Sequence, residues 1–409
     1  MSSIKSGTRN KQDSKEHKQN SSDSTGKPAD KGSLSAPIVL IETLPAGQHK
    51  LGVLTLNAEK TLNSLTLEMV SILFARLKAW QKDDDIAMVI LQGAGEKAFC
   101  AGGDIQALYR SAINPVDGIC VEAEQFFFQE YQLDYLIHTY DKPILCLGDG
   151  IVMGGGLGLM AGASHRVVTE TSRIAMPEVT IGLFPDVGST VFLNRLPYNL
   201  GYFFGITGAT MNARDALFCH LADVGISRKV IPELIQQLQT LSWQSEPELN
   251  HQLLTDQLRL YTAESKHFPE ANITHNLGTL EKTCRHNSLS RMLEAIANFD
   301  DDNPWLKKAK ATLSAGSPLS ALIIYEQLKR HQHIDLQGAF ISEYTLACNM
   351  VKHPDFAEGI RALLIDKDKN PKWVYQHISH VPCSLVESLF APRWETHPLS
   401  TVFEQLDAS

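Results

Sequence analysis

No apolar run in this 409-residue chain approaches the ~18 residues that a membrane-spanning helix needs, which excludes a protein built on such helices. Positive charge is also short. Thirty-seven Lys and Arg stand against 46 Asp and Glu, a formal net charge of −9. That balance argues against a general affinity for nucleic acid or an anionic membrane, and leaves room for a local basic patch that meets a phosphate-bearing ligand. Cysteine occurs seven times, as Cys100, Cys120, Cys146, Cys219, Cys284, Cys348 and Cys383, never closer than twenty residues. The spacing contains no Cys-x-x-Cys zinc or redox pattern, so reduced and mostly buried thiols in a reducing compartment, the cytoplasm first, are expected. The histidines are scattered. His331-x-His333 lies in a helix–loop region and reads as solvated polar residues, so no metal centre is expected.

What is present is the composition of a folded protein, with 43% hydrophobic and 20% charged residues. Single cores stop growing near ~250–300 residues, so more than one folded unit, or one domain with a large extension, is expected. Residues 1–36 stand apart. They hold nine serines, seven Lys or Arg and four Asp or Glu, a charge of +3 that leaves −12 on the rest of the chain. With almost no large apolar residue between Ile4 and Leu34, this segment reads as disordered. It lacks the apolar stretch of a secretory signal. A mitochondrial presequence is the alternative, opposed by Asp13, Glu16, Asp23 and Asp30.

From Pro37 strands and helices alternate. The pattern gives strands over Pro37–Leu44, Leu51–Asn57, Ile86–Leu91, Pro143–Leu147 and His165–Glu170. Helices are expected over Thr66–Lys82, Asp104–Ile113, Ile119–Tyr140 and Gly155–Ala163. Such alternation favours parallel pairing through right-handed crossovers. After about residue 231 the chain reads as helical, with segments beginning at Ile231, Glu248, Leu289, Asn303, Leu319 and Leu336. The division is therefore a tail (1–36), an α/β core (37–230) and a helical extension (231–409).

Three segments could carry chemistry. The first is Phe99-Cys100-Ala101-Gly102-Gly103-Asp104-Ile105, where adjacent glycines permit a tight turn and the amides at the following helix start can face a developing negative charge. Asp104 can cap that helix. The plain alternative is a simple strand–helix turn. The second segment is Met153 to Gly162, with five glycines in nine residues. Each glycine costs roughly 1 kcal/mol in a helix relative to alanine, which points to close backbone packing or backbone contact with a ligand. Gly156-x-Gly158-x-x-Ala161 also fits a dinucleotide fingerprint loosely, but Asp149 to Met153 separates it from the preceding strand. One N–H from each glycine turn could converge on one oxygen as an oxyanion hole. The third segment, Met176 to Gly188, places Glu178 and Asp186 eight residues apart among Ile181, Leu183 and Phe184. Apolar surroundings raise a carboxylate toward the range useful for acid–base work, whereas a surface turn would leave both acids solvated.

In this order the three segments resemble the crotonase (enoyl-CoA hydratase/isomerase) superfamily. The stretches AGGDIQALY, GIVMGGGLGLMAGASHRV, AMPEVTIGLFPDVG and FAEGIRALLIDKDKNPKW are most similar to its 3-hydroxyisobutyryl-CoA hydrolase branch. The resemblance covers most of residues 37–375. It implies an α/β fold, a crotonase-like ββα spiral core with a mostly helical C-terminal extension. It also implies hydrolysis of a short β-hydroxyacyl-CoA thioester, with no cofactor beyond the CoA of the substrate. Gly103 and Gly155 match the positions whose N–H groups hold the thioester oxygen, with Gly102 beside them. Glu178 matches the main catalytic carboxylate, Asp186 a second acid at the substrate hydroxyl or leaving group, and Glu130 a third polar position of the acyl pocket. Hydratases of the superfamily carry a second glutamate two residues beyond the glycine triplet, where this chain has Gly158. Ser189 stands where the branch commonly has glycine, with no consequence expected for the chemistry. Hydration or isomerisation, and a non-catalytic acyl-CoA-binding protein of the same fold, are the alternatives. Lys60, Lys97, Arg110 and Lys367 are candidates for the CoA nucleotide. Relatives of this kind often form trimers, so a homo-oligomer is an expectation, unless the helical extension covers that surface instead.

Overall fold

A computed structural model describes residues 36–263, 267–286 and 288–407. The expectation of disorder for 1–36 lies outside these residues, except for Ala36. The strands are β1 (Val39–Ala46), β2 (His49–Leu56), β3 (Ile86–Gly93), β4 (Ala98–Cys100), β5 (Ile144–Gly148), β6 (Ile151–Met153), β7 (His165–Val168), β8 (Arg173–Ala175) and β9 (Val224–Gly225). In the first half the helices are α1 (Leu67–Gln81), α2 (Ile105–Ile113), α3 (Val121–His138), α4 (Gly155–Gly162), α5 (Ser189–Asn194), α6 (Leu200–Thr207) and α7 (Ala213–Phe218). The second half is α8 (Ile231–Leu238), α9 (Pro247–Leu260), α10 (Asn272–Cys284), α11 (Leu289–Ala297), α12 (Pro304–Ala315), α13 (Pro318–Arg330), α14 (Leu336–Met350), α15 (Pro354–Ile360), α16 (Cys383–Phe390) and α17 (Pro398–Asp407).

Two sheets form. The larger has the order β1-β2-β3-β5-β7-β9, antiparallel only between β1 and β2, and the smaller has the order β4-β6-β8, parallel throughout. From β3 onward the chain gives strands to the two sheets alternately, which is the ββα spiral. Burial on both faces explains the continuous apolar runs of the large sheet's strands. Leu54, Leu56, Val89, Leu91, Ile144 and Cys146 face one core, with α1, α3 and α4. Leu51, Val53, Met88, Ile90, Leu145 and Leu147 face the other, which α8 and α9 cover with Leu234, Leu238, Leu254 and Leu258. This period-2 division sets the register, since a one-residue slip would exchange the two faces.

The helices have identifiable starts. Thr66 caps α1 by accepting the Met69 amide at 3.2 Å, and Asp104 caps α2 by accepting Gln106 and Ala107 amides at 3.1 and 3.2 Å. The first hairpin turns at Gly47-Gln48, with Gly47 at φ +67°, so β1 runs two residues past its expected end. The sequence pattern names neither the small sheet nor α10, and α15 to α17 also lie beyond it. The helices after residue 230 pack on the same clusters as the first half: α14 and α17 lie on α3, and α13 lies on α6. Among the described residues no helix is long and apolar enough to cross a membrane.

Candidate active site

The three strands of the small sheet end at one place. Gly102-Gly103 follows β4, Gly154-Gly155 follows β6, and Met176-Pro177-Glu178 follows β8. The carboxyl edge of a parallel sheet is where α/β folds bind ligands, because loops and helix starts converge there. The glycine turns therefore follow three-residue strands of the second sheet, which the sequence pattern does not name.

The first turn is pinned by the Leu62–Leu65 segment. Leu65 N–H donates to Gly102 C=O at 2.8 Å, Asp104 N–H donates to Leu65 C=O at 2.8 Å, and Ala101 N–H donates to Leu62 C=O at 3.0 Å. Gly102 has φ +98°, and a β-carbon there would stand 3.2 Å from Met153 O and 3.7 Å from Gly155 N. The two glycine turns are thus in contact. Gly155 opens α4, so its amide has no partner inside that helix. A side chain at Gly155 would collide with Glu130 Oε1, and one at Gly154 would stand 2.9 Å from Glu178 Oε1. The glycine run is the space into which two carboxylates reach.

Gly102, Gly103, Glu130, Gly154, Gly155, Glu178 and Asp186 all line one cavity of about 570 Å³, with Lys60 and Leu62 at one side and Leu363 and Leu364 of the C-terminal half at another. The structure therefore gathers all six candidate site residues. Of the four candidate cations, Lys60 lines the cavity; Lys97, Arg110 and Lys367 do not.

The acids are almost entirely out of water: Glu130 is 2% exposed, Glu178 6% and Asp186 5%. Burial, then the charge of Asp186, pushes the Glu178 carboxyl well above its usual range, and its Oε2 has no hydrogen-bond partner among the described residues. Burial, then Asp134, raises Glu130. Asp186 is pushed up to about 6 by burial, while the Tyr131 hydroxyl, donating to its Oδ2 at 2.6 Å, pulls it back. Like charges confined in low dielectric oppose one another's ionisation, so all three carboxyls are shifted upward. Such a set can place an oxygen between two amides, hold or accept a proton beside it, and bind a hydroxyl.

Three further residues belong to this arrangement and carry no motif. Tyr131 follows Glu130 on α3. Asp134, one turn beyond Glu130 and fully buried, has both carboxyl oxygens without a hydrogen-bond partner among the described residues, and burial, then Asp186 and Glu343, raises it. Its i, i+4 relation to Glu130 was a signal available in the sequence. Glu343 on α14 is fully buried and accepts from Gly188 and Thr190, just after Asp186. Nothing in the local sequence marks it. Cys100, Cys120, Cys146, Cys219, Cys284 and Cys348 are buried free thiols, and Cys383 is an exposed one.

Residues 51–390 match the family model for enoyl-CoA hydratase/isomerase. A Xenopus tropicalis protein named 3-hydroxyisobutyryl-CoA hydrolase, mitochondrial, is 37% identical over 83% of this chain and 86% of its own length. The Mus musculus protein of the same name is 35% identical over 86% of this chain and 88% of its own. Among solved structures, a carnitinyl-CoA dehydratase from Mycobacterium thermoresistibile superposes with TM-score 0.77 at 33% identity, covering 89% of this chain and 99% of the other. An enoyl-CoA hydratase from Rhodobacter sphaeroides gives TM-score 0.75 at 33% identity, covering 87% and 98%.

Proposed function

The chain belongs to the enoyl-CoA hydratase/isomerase family, and from that premise we propose that it hydrolyses 3-hydroxyisobutyryl-CoA to 3-hydroxyisobutyrate and CoA, a step of valine breakdown. The observation that carries this reading is the carboxylate set at the cavity. Glu178 and Asp186 are there, while position 158, where a hydratase places its second glutamate, is a glycine whose side-chain space Val187 fills. Adding water across a double bond uses two carboxylates on one water. Hydrolysing a thioester needs one nucleophile or base and a seat for the oxyanion.

In the proposed mechanism the thioester oxygen accepts hydrogen bonds from the Gly103 and Gly155 amides, donors fixed by the backbone before the substrate arrives. Glu178 either attacks the carbonyl carbon to give a mixed anhydride that water then opens, or removes a proton from the attacking water. The C–S bond breaks as the tetrahedral intermediate collapses, and the thiolate leaves with its electron pair. Asp186 and Glu130 bind the β-hydroxyl or return a proton to the thiolate. Burial keeps these acids within reach of protonation near neutrality. The chemistry asks for no group beyond the CoA of the substrate. In this reading residues 37–230 are the catalytic core and 231–409 the extension that closes one side of the cavity. The compartment is a reducing one, cytoplasm or mitochondrial matrix, the latter being the address in the names of the animal relatives.

The solved relatives named as a dehydratase and a hydratase favour a second reading, hydration of a short enoyl-CoA. One assay separates the two. Thiol release from 3-hydroxyisobutyryl-CoA is expected with the wild-type protein and is expected to fall at least ~10³-fold in Glu178→Gln. Loss of crotonyl-CoA absorbance without thiol release would hand the site to the hydratase reading. Binding of acyl-CoA with neither reaction would make the protein a binder.

A further inference from the structure

Asp186 enters the cavity on a turn that no isolated peptide would favour. Val187, the next residue, is fully buried and has φ +55°. A β-branched residue in the left-handed region is a genuine outlier, and such conformations persist only where surrounding structure over-determines them. Gly188 follows at φ +82°. Two contacts hold the turn, one from each half of the chain.

Below it lies Gly158 of α4. A β-carbon built there would stand 2.6 Å from Val187 Cβ and 2.8 Å from Val187 Cγ2, distances real atoms do not adopt. Above it lies Glu343 of α14. Its Oε2 accepts the Gly188 N–H at 2.7 Å, and its Oε1 accepts the Thr190 N–H at 2.8 Å and the Thr190 hydroxyl at 2.6 Å. Gln327 of α13 donates to that same hydroxyl at 2.5 Å. Within the turn, Ser189 N–H donates to Asp186 C=O at 3.0 Å, and its hydroxyl donates to Pro185 C=O at 2.5 Å. The serine therefore braces the turn.

We propose that Glu343 is a positioning residue for Asp186, clamping the Asp186–Val187–Gly188 turn into the space left open by Gly158. The glycine at 158 then does more than remove a carboxylate. It supplies the seat in which Val187 packs, and that packing aims Asp186 at the acyl group. The choice of reaction becomes a packing exchange, in which a side chain at 158 and an inward Asp186 exclude one another. The inference rests on the hydrolase reading only for what Asp186 does to substrate, because the seat and the clamp are features of packing.

A double-mutant cycle on the full chain tests it, with thiol release read as kcat and KM separately. Glu343→Gln keeps the shape of the side chain but turns an NH2 group toward a backbone donor. It is expected to lower kcat roughly ten- to a hundredfold with KM changed less than about twofold, the scale of a misplaced reacting group. In an Asp186→Asn background the same change should do almost nothing further, since there is no carboxylate left to aim. A merely structural glutamate would multiply its loss onto that of Asp186→Asn, and that result overturns the proposal. Gly158→Ala should lose activity and stability, and Val187→Gly should restore much of both by removing clash and strain together. Full activity in Gly158→Ala would show that the seat is not needed. Chemical denaturation of the 158/187 cycle reads the packing without any substrate. A wild type that releases no thiol therefore defeats the hydrolase reading, whereas additive stabilities at 158 and 187 defeat this one.

Discussion

Tyr131 decides how strongly the second acid of the site holds its proton. Asp186 sits at about 6, well above an ordinary aspartate, because burial opposes its charge, and the Tyr131 hydroxyl is the main group opposing that rise. If the ionised form of Asp186 is needed at the acyl group, its titration contributes an acid limb to kcat/KM near pH 6. Tyr131→Phe keeps the ring, which packs against Phe127, Phe340 and Tyr344, and deletes only the donor. The carboxylate is then less favoured, so the acid limb moves to higher pH, by roughly one unit for a single lost hydrogen bond to charge. Steady-state profiles of both proteins check this. An unmoved limb in the variant would mean that another group sets it.

The acid-bearing loops are positioned by elements that arrive late in the chain, and here the sequence was least legible. Glu178 opens a 3-10 turn, Glu178–Ile181, whose Val179 carbonyl accepts the Ser317 amide at 3.0 Å. The Ser317 hydroxyl donates to Asp355 Oδ2 at 2.7 Å, and Asp355 Oδ1 accepts the Val374 amide at 2.9 Å. The Asp355 backbone carbonyl packs against Gly182, which closes that turn at φ +69°. Asp355→Ala strips a fully buried carboxylate from two donors and is expected to cost about 2–4 kcal/mol of stability. It should also lower kcat in the protein that stays folded. Equilibrium denaturation with activity measured alongside tests both, and an unchanged stability would show that the network is not a clamp. Glycine doublets, a Pro-Glu and a Pro-Asp in apolar surroundings were visible because each is locally unusual. The strands that carry them were not, since Ala98–Cys100, Ile151–Met153 and Arg173–Ala175 are too short to show a period of two. Asp355 and Glu343 were invisible for another reason. Their partners lie 38 and about 155 residues away, and a buried acid with satisfied oxygens looks in sequence like a solvated one.

At the scale of the whole chain, residues 37–230 are expected to depend on residues 231–409 for their fold, because the two share one continuous core. The outer face of the large sheet presents Leu51, Val53, Met88, Ile90, Leu145, Leu147 and Val167, each at most 3% exposed beneath α8 and α9. Removing residues 231–409 uncovers that face. At about 1.5–3 kcal/mol per large side chain, the loss is on the order of 10–20 kcal/mol, which matches or exceeds the entire stability of an ordinary domain. It also removes Glu343, Asp355, Leu363 and Leu364, so both acid turns lose their braces and the cavity loses a wall. A fragment of residues 37–230 is therefore expected to show no cooperative thermal transition by circular dichroism, and no thiol release. The complementary fragment 231–409, supplied in the same cell, should recover part of both, because the interface it replaces is the same continuous core. A 37–230 fragment that melts cooperatively on its own would show that the sheet's outer face tolerates water. Residues 231–409 would then act on the site alone, through Glu343 at the Asp186 turn, Asp355 at the Glu178 turn and the cavity-lining Leu363 and Leu364.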